Sequence, residues 1–250
     1  MNIAIIFAGG SGVRMGAGMP KQFLEINGKP IIIHTLDNFQ NSPAIDKIYI
    51  ACKADYMETL KNLTNRFAIT KVAKIVEGGV TGQDSIFHAL KAAYNENPKD
   101  SIVLIHDGVR PFVSEEVIEK NIESVKKYGS AITCTAFFET PILSKDGHQV
   151  EEMPLKKETF TAQAPQSFYL GEIVSAHEEM RKINPEYIDI ADSCNLYKNL
   201  GKQVYIVQGN RGNIKVTTPE DFYVLRALLQ YKELSATNPG EYPVHFPTYQ

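Results

Sequence analysis

The first dozen residues constrain the fold most. Asn2 to Phe7 is a continuous apolar run that leads directly into Ala8-Gly9-Gly10-Ser11-Gly12. A strand without polar alternation is buried on both faces, as a strand is inside a parallel sheet covered by helices on each side. A glycine-rich turn at the end of such a strand lets backbone N–H groups approach a ligand closely. Short β-branched runs recur at Ile48 to Cys52, Val72 to Val76, Ile102 to Ile105, Ala131 to Ala136 and Val204 to Val207.

Helical patterns lie between these runs. Ile86, Ala89, Leu90, Ala93 and Tyr94 fall on one face at helical spacing. Ser114, followed by Glu115 and Glu116, has the form of a helix start, and Gly129 the form of a stop. Thr218-Pro219-Glu220-Asp221 opens a last helix. Strands alternating with helices predict an α/β fold in three layers, a mostly parallel sheet with helices on both faces. Residues 1–232 read as a single domain. Residues 137–160, broken by Pro141, Gly147 and Pro154, read as a projecting hairpin-like arm, and 233–250, with three prolines, as an irregular tail.

A chain of 250 residues buries enough surface to fold without disulfide or metal staples. Its 26 basic and 29 acidic residues leave a net charge of −3, which argues against sequence-independent binding to nucleic acid. The longest apolar runs fall far short of the roughly 20 residues that span a bilayer, and the N-terminus lacks the pattern of a signal peptide. Cys52, Cys134 and Cys194 are too scattered for a disulfide framework or a zinc site, so buried reduced thiols and a cytoplasmic location are expected.

Open α/β sheets bind ligands at the carboxyl ends of their strands. The first such end carries the glycine turn together with Arg14 and, a little later, Pro20-Lys21-Gln22, so glycines and cations together point to phosphate. A dinucleotide fingerprint needs a glycine where Met15 stands, and a Walker loop needs Gly-Lys-Ser/Thr, which does not occur there. His106 reads as a structural hydrogen-bonder at a strand end. His34, His88, His148, His177 and His245 share no ligand spacing and read the same way.

Five segments, in order, carry a family resemblance. They are Phe7 to Met15 with Pro20 to Phe23; Gly78-Gly79 with Asp84-Ser85; His106 to Phe112; Gln163 to Phe168; and Asn213 to Asp221. Together they resemble the cytidylyltransferases that act on polyol phosphates, a family with ribitol-5-phosphate and methylerythritol-phosphate branches. The resemblance implies a Rossmann-like sheet of the nucleotidyltransferase type with a projecting β-arm, and transfer of CMP from CTP to a polyol phosphate with Mg²⁺ as cofactor. It implies that Arg14, Lys21 and Lys215 stabilise the phosphates, that Asp107 helps place the metal and the nucleotide, and that Arg110 faces the acceptor phosphate. Ala8, Gly9, Gly10, Gly12, Gly78, Gly79, Gln83, Asp84 and Ser85 would hold the nucleotide. Thr140 and Lys156 on the arm would reach the acceptor across a homodimer.

Three departures from the family pattern bear on substrate choice. Val80-Thr81-Gly82-Gln83 stands where an arginine is usual, which bears on the preference for CTP over UTP. Lys156-Lys157 replaces an arginine, exchanging a bidentate fork for a point charge. Ala164 stands where many members have threonine. The last two argue for an altered acceptor, and the Phe-Ala-Gly-Gly opening, Gly28 to Thr35 and the Val109-Arg110-Pro111-Phe112 form resemble the ribitol-phosphate branch more closely, which favours ribitol 5-phosphate as acceptor. Methylerythritol 4-phosphate is the main alternative, and another polyol phosphate such as glycerol, arabinitol or mannitol phosphate a further one. A nicotinamide-dependent oxidoreductase and a non-catalytic nucleotide-binding relative are the readings from other classes.

Overall fold

The computed structural model describes residues 1–10 and 19–237, with side chains through Leu234. Among these residues the main sheet has seven strands: β1 (Asn2–Ala8), β4 (Lys47–Cys52), β5 (Val72–Glu77), β6 (Ile102–Asp107), β7 (Ser130–Ala136), β8 (Phe160–Tyr169) and β9 (Ile206–Gln208). Their order is β5-β4-β1-β6-β8-β7-β9. All neighbours are parallel except β8, which runs antiparallel to both β6 and β7. A two-stranded hairpin, β2 (Glu25–Ile26) and β3 (Lys29–Pro30), turns through Asn27 and Gly28, both at positive φ, the demand of a tight hairpin turn.

Alternation along β1 divides the core. Ala4, Ile6 and Ala8 pack beneath α1 (Ile31–Asn41), α2 (Met57–Arg66) and α4 (Glu115–Tyr128). Ile3 and Ile5 pack against α3 (Gly82–Glu96), α5 (Leu170–Ile183) and α6 (Ser193–Asn199). Both faces of the strand are dry, which is why it reads as an unbroken apolar run. A third cluster, around Val109, Phe112, Val216 and Leu225, seats α7 (Pro219–Thr237) beside the strand ends.

The predicted helix signals act as expected. Ser114 Oγ accepts from the Val117 N–H, and Gly129 ends α4 in the left-handed conformation at φ 89°. Asp221 accepts from the Thr217 and Thr218 N–H groups at 2.7 and 2.8 Å, fixing the start of α7. That helix continues to Thr237, five residues into the segment expected to be irregular. Residues 238–250 lie outside the described ones.

β8 is the strand the residue pattern does not predict, because Pro165 sits inside it. The proline is accommodated beyond the last β6 pair, Ile105 with Gln166, and opposite the place where the β7 register shifts between Ile132 and Cys134. There its carbonyl accepts from Thr133 Oγ1 at 2.7 Å. β9 starts two residues later than the Val204 to Val207 run suggests and ends one residue beyond it. The arm between β7 and β8 is exposed for most of its length, closed by paired bonds between Leu143 and Glu152 and by a turn in which Asp146 accepts from the His148 and Gln149 N–H groups. All three cysteines are buried and free of disulfides, and burial pushes the Cys52 and Cys134 thiols up to about 11. No helix among the described residues is long and apolar enough to cross a membrane.

Candidate active site

The strand order reverses between β1 and β6, and there the two carboxyl ends stand side by side, Phe7 in register with Asp107. Ala8, Gly9 and Gly10 leave β1 at this point. The Gln22 amide donates to the carbonyls of Ala8 at 2.6 Å and Gly10 at 3.2 Å, so the Pro20-Lys21-Gln22 step is tied to the glycine turn. Lys21, in a 3-10 turn over Lys21–Phe23, is mostly buried beside it. Gly12 and Arg14 lie outside the described residues.

Ser85, near the start of α3, fixes the floor of this half. Its hydroxyl donates to the Thr81 carbonyl at 2.9 Å and accepts from the Gly79 N–H at 3.1 Å. A Cβ on either Gly9 or Gly78 would come within 2.9 Å of that oxygen, so a side chain at either position would push the Ser85 hydroxyl from its place. A Cβ on Gly10 would meet no atom within 4 Å among the described residues. Asp84 is built into the helix start. One carboxylate oxygen accepts from Thr81 in a capping box and the other from Arg181 at 2.6 Å. Burial would raise the Asp84 carboxyl, but the Thr81 and Arg181 bonds hold it below its usual value. The geometry therefore gives Asp84 the work of fixing α3 beneath Ser85.

At the end of β6 three charged side chains converge. Asp107 is 5 % exposed; Lys215 Nζ lies 2.6 Å from its Oδ1 and Arg110 Nε 3.2 Å from its Oδ2. Burial alone would raise the Asp107 carboxyl, yet Arg110 and Lys215 outweigh it and keep the group ionised. Arg110 also donates to the Asn213 carbonyl at 2.6 Å, and Asn213 donates to the Ala164 carbonyl at 2.7 Å. The loop that carries Lys215 is thus fastened to both β6 and β8. His106 is fully buried, its Nε2–H donates to the Arg110 carbonyl at 2.9 Å, and burial lowers its pKa to about 4. A neutral imidazole bonded to backbone is a structural part, as the sequence suggests.

These groups open onto a cavity of about 430 Å³. Phe7, Ile86 and Ile105 line it, with Gln83 from α3, Ala162 to Ala164 and Gln166 from β8, and Tyr187 and Ile190 to Ser193 from the segment that leads into α6. That last segment escapes sequence reasoning. It is held by contacts remote in the chain: His177 to the Tyr187 hydroxyl at 2.9 Å, and the Cys194 N–H to Gln166 Oε1 at 2.9 Å. Gln83, placed by the sequence with the nucleotide residues, shares this cavity with Asp107 and Ala164. Thr140 and Lys156 do not line it. Thr140 is exposed on the arm, and Lys156 donates to the Phe138 carbonyl at 2.6 Å.

Two carboxylates line the cavity, Asp107 and Asp192. Asp107 has both oxygens engaged, and Asp192 caps α6 by accepting from the Asn195 N–H at 2.7 Å. No group of three His, Cys, Asp or Glu able to hold a metal occurs among the described residues. Such a donor set fits a Mg²⁺ ion carried in on substrate phosphates, with one carboxylate alongside, rather than a cage of protein ligands.

The family model described as 2-C-methyl-D-erythritol 4-phosphate cytidylyltransferase (IspD) matches residues 2–231. The chain is 48% identical over 234 residues to a ribitol-5-phosphate cytidylyltransferase of Streptococcus agalactiae serotype V, covering 93% of this chain and 97% of that one. It is 37% identical over 231 residues to a 2-C-methyl-D-erythritol 4-phosphate cytidylyltransferase of Clostridium botulinum, covering 92% and 97%. The crystal structure of 4-diphosphocytidyl-2C-methyl-D-erythritol synthase from Anaerococcus prevotii superposes with a TM-score of 0.79 at 31% identity, over 92% of this chain and 96% of that one. With the strand-end geometry and the nearly full-length matches in agreement, the chain belongs to the 2-C-methyl-D-erythritol 4-phosphate cytidylyltransferase family of nucleotidyltransferases.

Proposed function

We propose that this chain transfers CMP from CTP to ribitol 5-phosphate, giving CDP-ribitol and pyrophosphate. An oxygen of the acceptor phosphate attacks the α-phosphorus. The bond from that phosphorus to the oxygen bridging the β-phosphate breaks, and pyrophosphate leaves with the electron pair. The nucleophile is already ionised, so the reaction needs charge stabilisation rather than a general base. The observation that carries this reading is the pair of cations, Lys215 and Arg110, held on one buried carboxylate at the mouth of the cavity. They are ordered before substrate arrives, so little reorganisation accompanies the transition state.

In this reading Ala8, Gly9, Gly10, Gly78, Gly79 and Ser85 hold the base. Lys21 and Lys215, with Arg14, hold the phosphates, and Arg110 faces the acceptor phosphate. Mg²⁺, when bound, would neutralise phosphate charge, with Asp107 the residue that would help hold it. The arm serves a second subunit. Ile142, Leu143, Met153 and Leu155 expose more than half of their surface on it, and Thr140 and Lys156 stand outside their own chain's cavity. The ribitol acceptor is supported by the higher identity to the ribitol-5-phosphate enzyme over the same span. The second reading, methylerythritol 4-phosphate as acceptor, is favoured by the description of the matching family model.

The test is pyrophosphate release with CTP and Mg²⁺, each acceptor supplied singly, with UTP as control. Turnover with ribitol 5-phosphate and CTP is expected. Turnover with methylerythritol 4-phosphate only would move the protein to the second reading.

A further inference from the structure

The cavity wall is unevenly furnished. Its cations gather on Asp107, while the remainder is neutral apart from the capping carboxylate of Asp192. On that neutral stretch two side chains are buried without the partners burial demands. Gln83 is 5 % exposed, its Oε1 is enclosed without a hydrogen bond, and its amide nitrogen has no partner among the described residues. Ser193 is 1 % exposed and its hydroxyl is likewise unpaired. Folded proteins leave few buried polar groups unsatisfied, so two on one cavity wall call for a partner that the chain itself does not supply.

The chemistry of the two groups narrows the ligand. An amide both donates and accepts, as does a hydroxyl, so each matches an alcohol and neither matches a phosphate as well as a cation does. Neighbouring anchors keep the pair in place. Gln166 Oε1 holds the Cys194 N–H and so fixes Ser193 at the head of α6, and the capping box of Thr81 and Asp84 fixes the turn of α3 that carries Gln83. Ala162 and Ala164 leave room in front of β8.

We propose that Gln83 and Ser193 read the hydroxyl groups along the carbon chain of the acceptor, and so select a long alditol phosphate. The inference rests on the polyol-phosphate reading above and moves Gln83 from the nucleotide to the acceptor. Specificity of this kind is strong, because an acceptor lacking a hydroxyl leaves a buried polar group unpaired.

The variants Gln83→Leu and Ser193→Ala test it, with kcat/KM for ribitol 5-phosphate, KM for CTP and the melting temperature measured for each. For Gln83→Leu, kcat/KM for the acceptor should fall roughly 10-fold while KM for CTP stays within about twofold. The melting temperature should hold or rise, because the substitution removes an orphaned amide. Ser193→Ala should repeat the pattern at a smaller factor. An unchanged kcat/KM, or a rise in the KM for CTP in parallel, would overturn the proposal, and a lowered melting temperature with no acceptor effect would make Gln83 structural. A wild-type protein that uses no polyol phosphate with CTP would instead remove the reaction itself and this inference with it, an outcome the variants cannot imitate.

Discussion

β5, β4, β1 and β6 run parallel and carry nearly continuous apolar side chains, whereas β8, β7 and β9 form a mixed set that carries buried polar residues and the arm. The parallel half ends in the glycine turns Gly9-Gly10 and Gly78-Gly79, to which the proposed function assigns the nucleotide. The mixed half supplies side chains, Gln163, Ala164 and Gln166, to the wall of the cavity. On the proposed function one sheet would use two recognition devices: close backbone approach for the nucleotide, and side-chain amides and hydroxyls for the second substrate.

Lys215 stands where the two halves meet, and its loss should have the largest effect. Lys215→Ala should lower turnover by on the order of 10²-fold or more for every acceptor. Its side chain is 44% exposed, so the melting temperature should change little. Rates of pyrophosphate release set beside thermal melts check this, and a large loss of stability would show that Lys215 is part of the frame.

Acid should weaken the parallel half through His106. Its pKa is about 4 folded against 6.5 for the free side chain, so the unfolded chain binds more protons between those values. Stability is therefore expected to fall as pH drops from 6.5 towards 4, by about 3 kcal/mol from this residue. His177, on α5 and lowered to about 3 by burial, adds to the same slope and extends it to lower pH. Urea unfolding measured across that range is the check; a flat profile would mean that the two imidazoles are charged in the native state.

The mixed half should show a smaller, purely structural sensitivity at Asn121. This buried amide donates to Thr133 Oγ1 on β7 and accepts from Ser167 Oγ on β8, both at 2.9 Å. Asn121→Ala leaves those hydroxyls short of a partner and should cost about 2 kcal/mol of stability. The KM for CTP should not change. A shift in CTP affinity would mean that the two halves are coupled more tightly than their geometry suggests.

How much of this was legible in the residues follows the same division. The strands and turns of the parallel half announce themselves locally, β1 by its unbroken apolar run and Gly9 and Gly10 by following it. By contrast, Asp107, just past the run Ile102 to Ile105, and Lys215 are singled out only by the family resemblance. The mixed half depends on distant partners. β8 is hidden because Pro165 is tolerated only opposite the register shift in β7. Gln163 finds its carbonyl acceptor at Asn210 and Gln166 its donor at Cys194, pairings that no local pattern encodes. Ser193 lies on a segment with non-glycine positive φ at Tyr187 and Asp189, which propensity rules would not assign to a site.

The acceptor is the most direct test of the proposed function. Ribitol 5-phosphate and 2-C-methyl-D-erythritol 4-phosphate should be supplied together at equal concentration with limiting CTP and Mg²⁺, and the nucleotide products separated by mass. The account predicts CDP-ribitol as the dominant product, by roughly 10-fold or more. CDP-methylerythritol as the main product, or consumption of CTP without either, would contradict it.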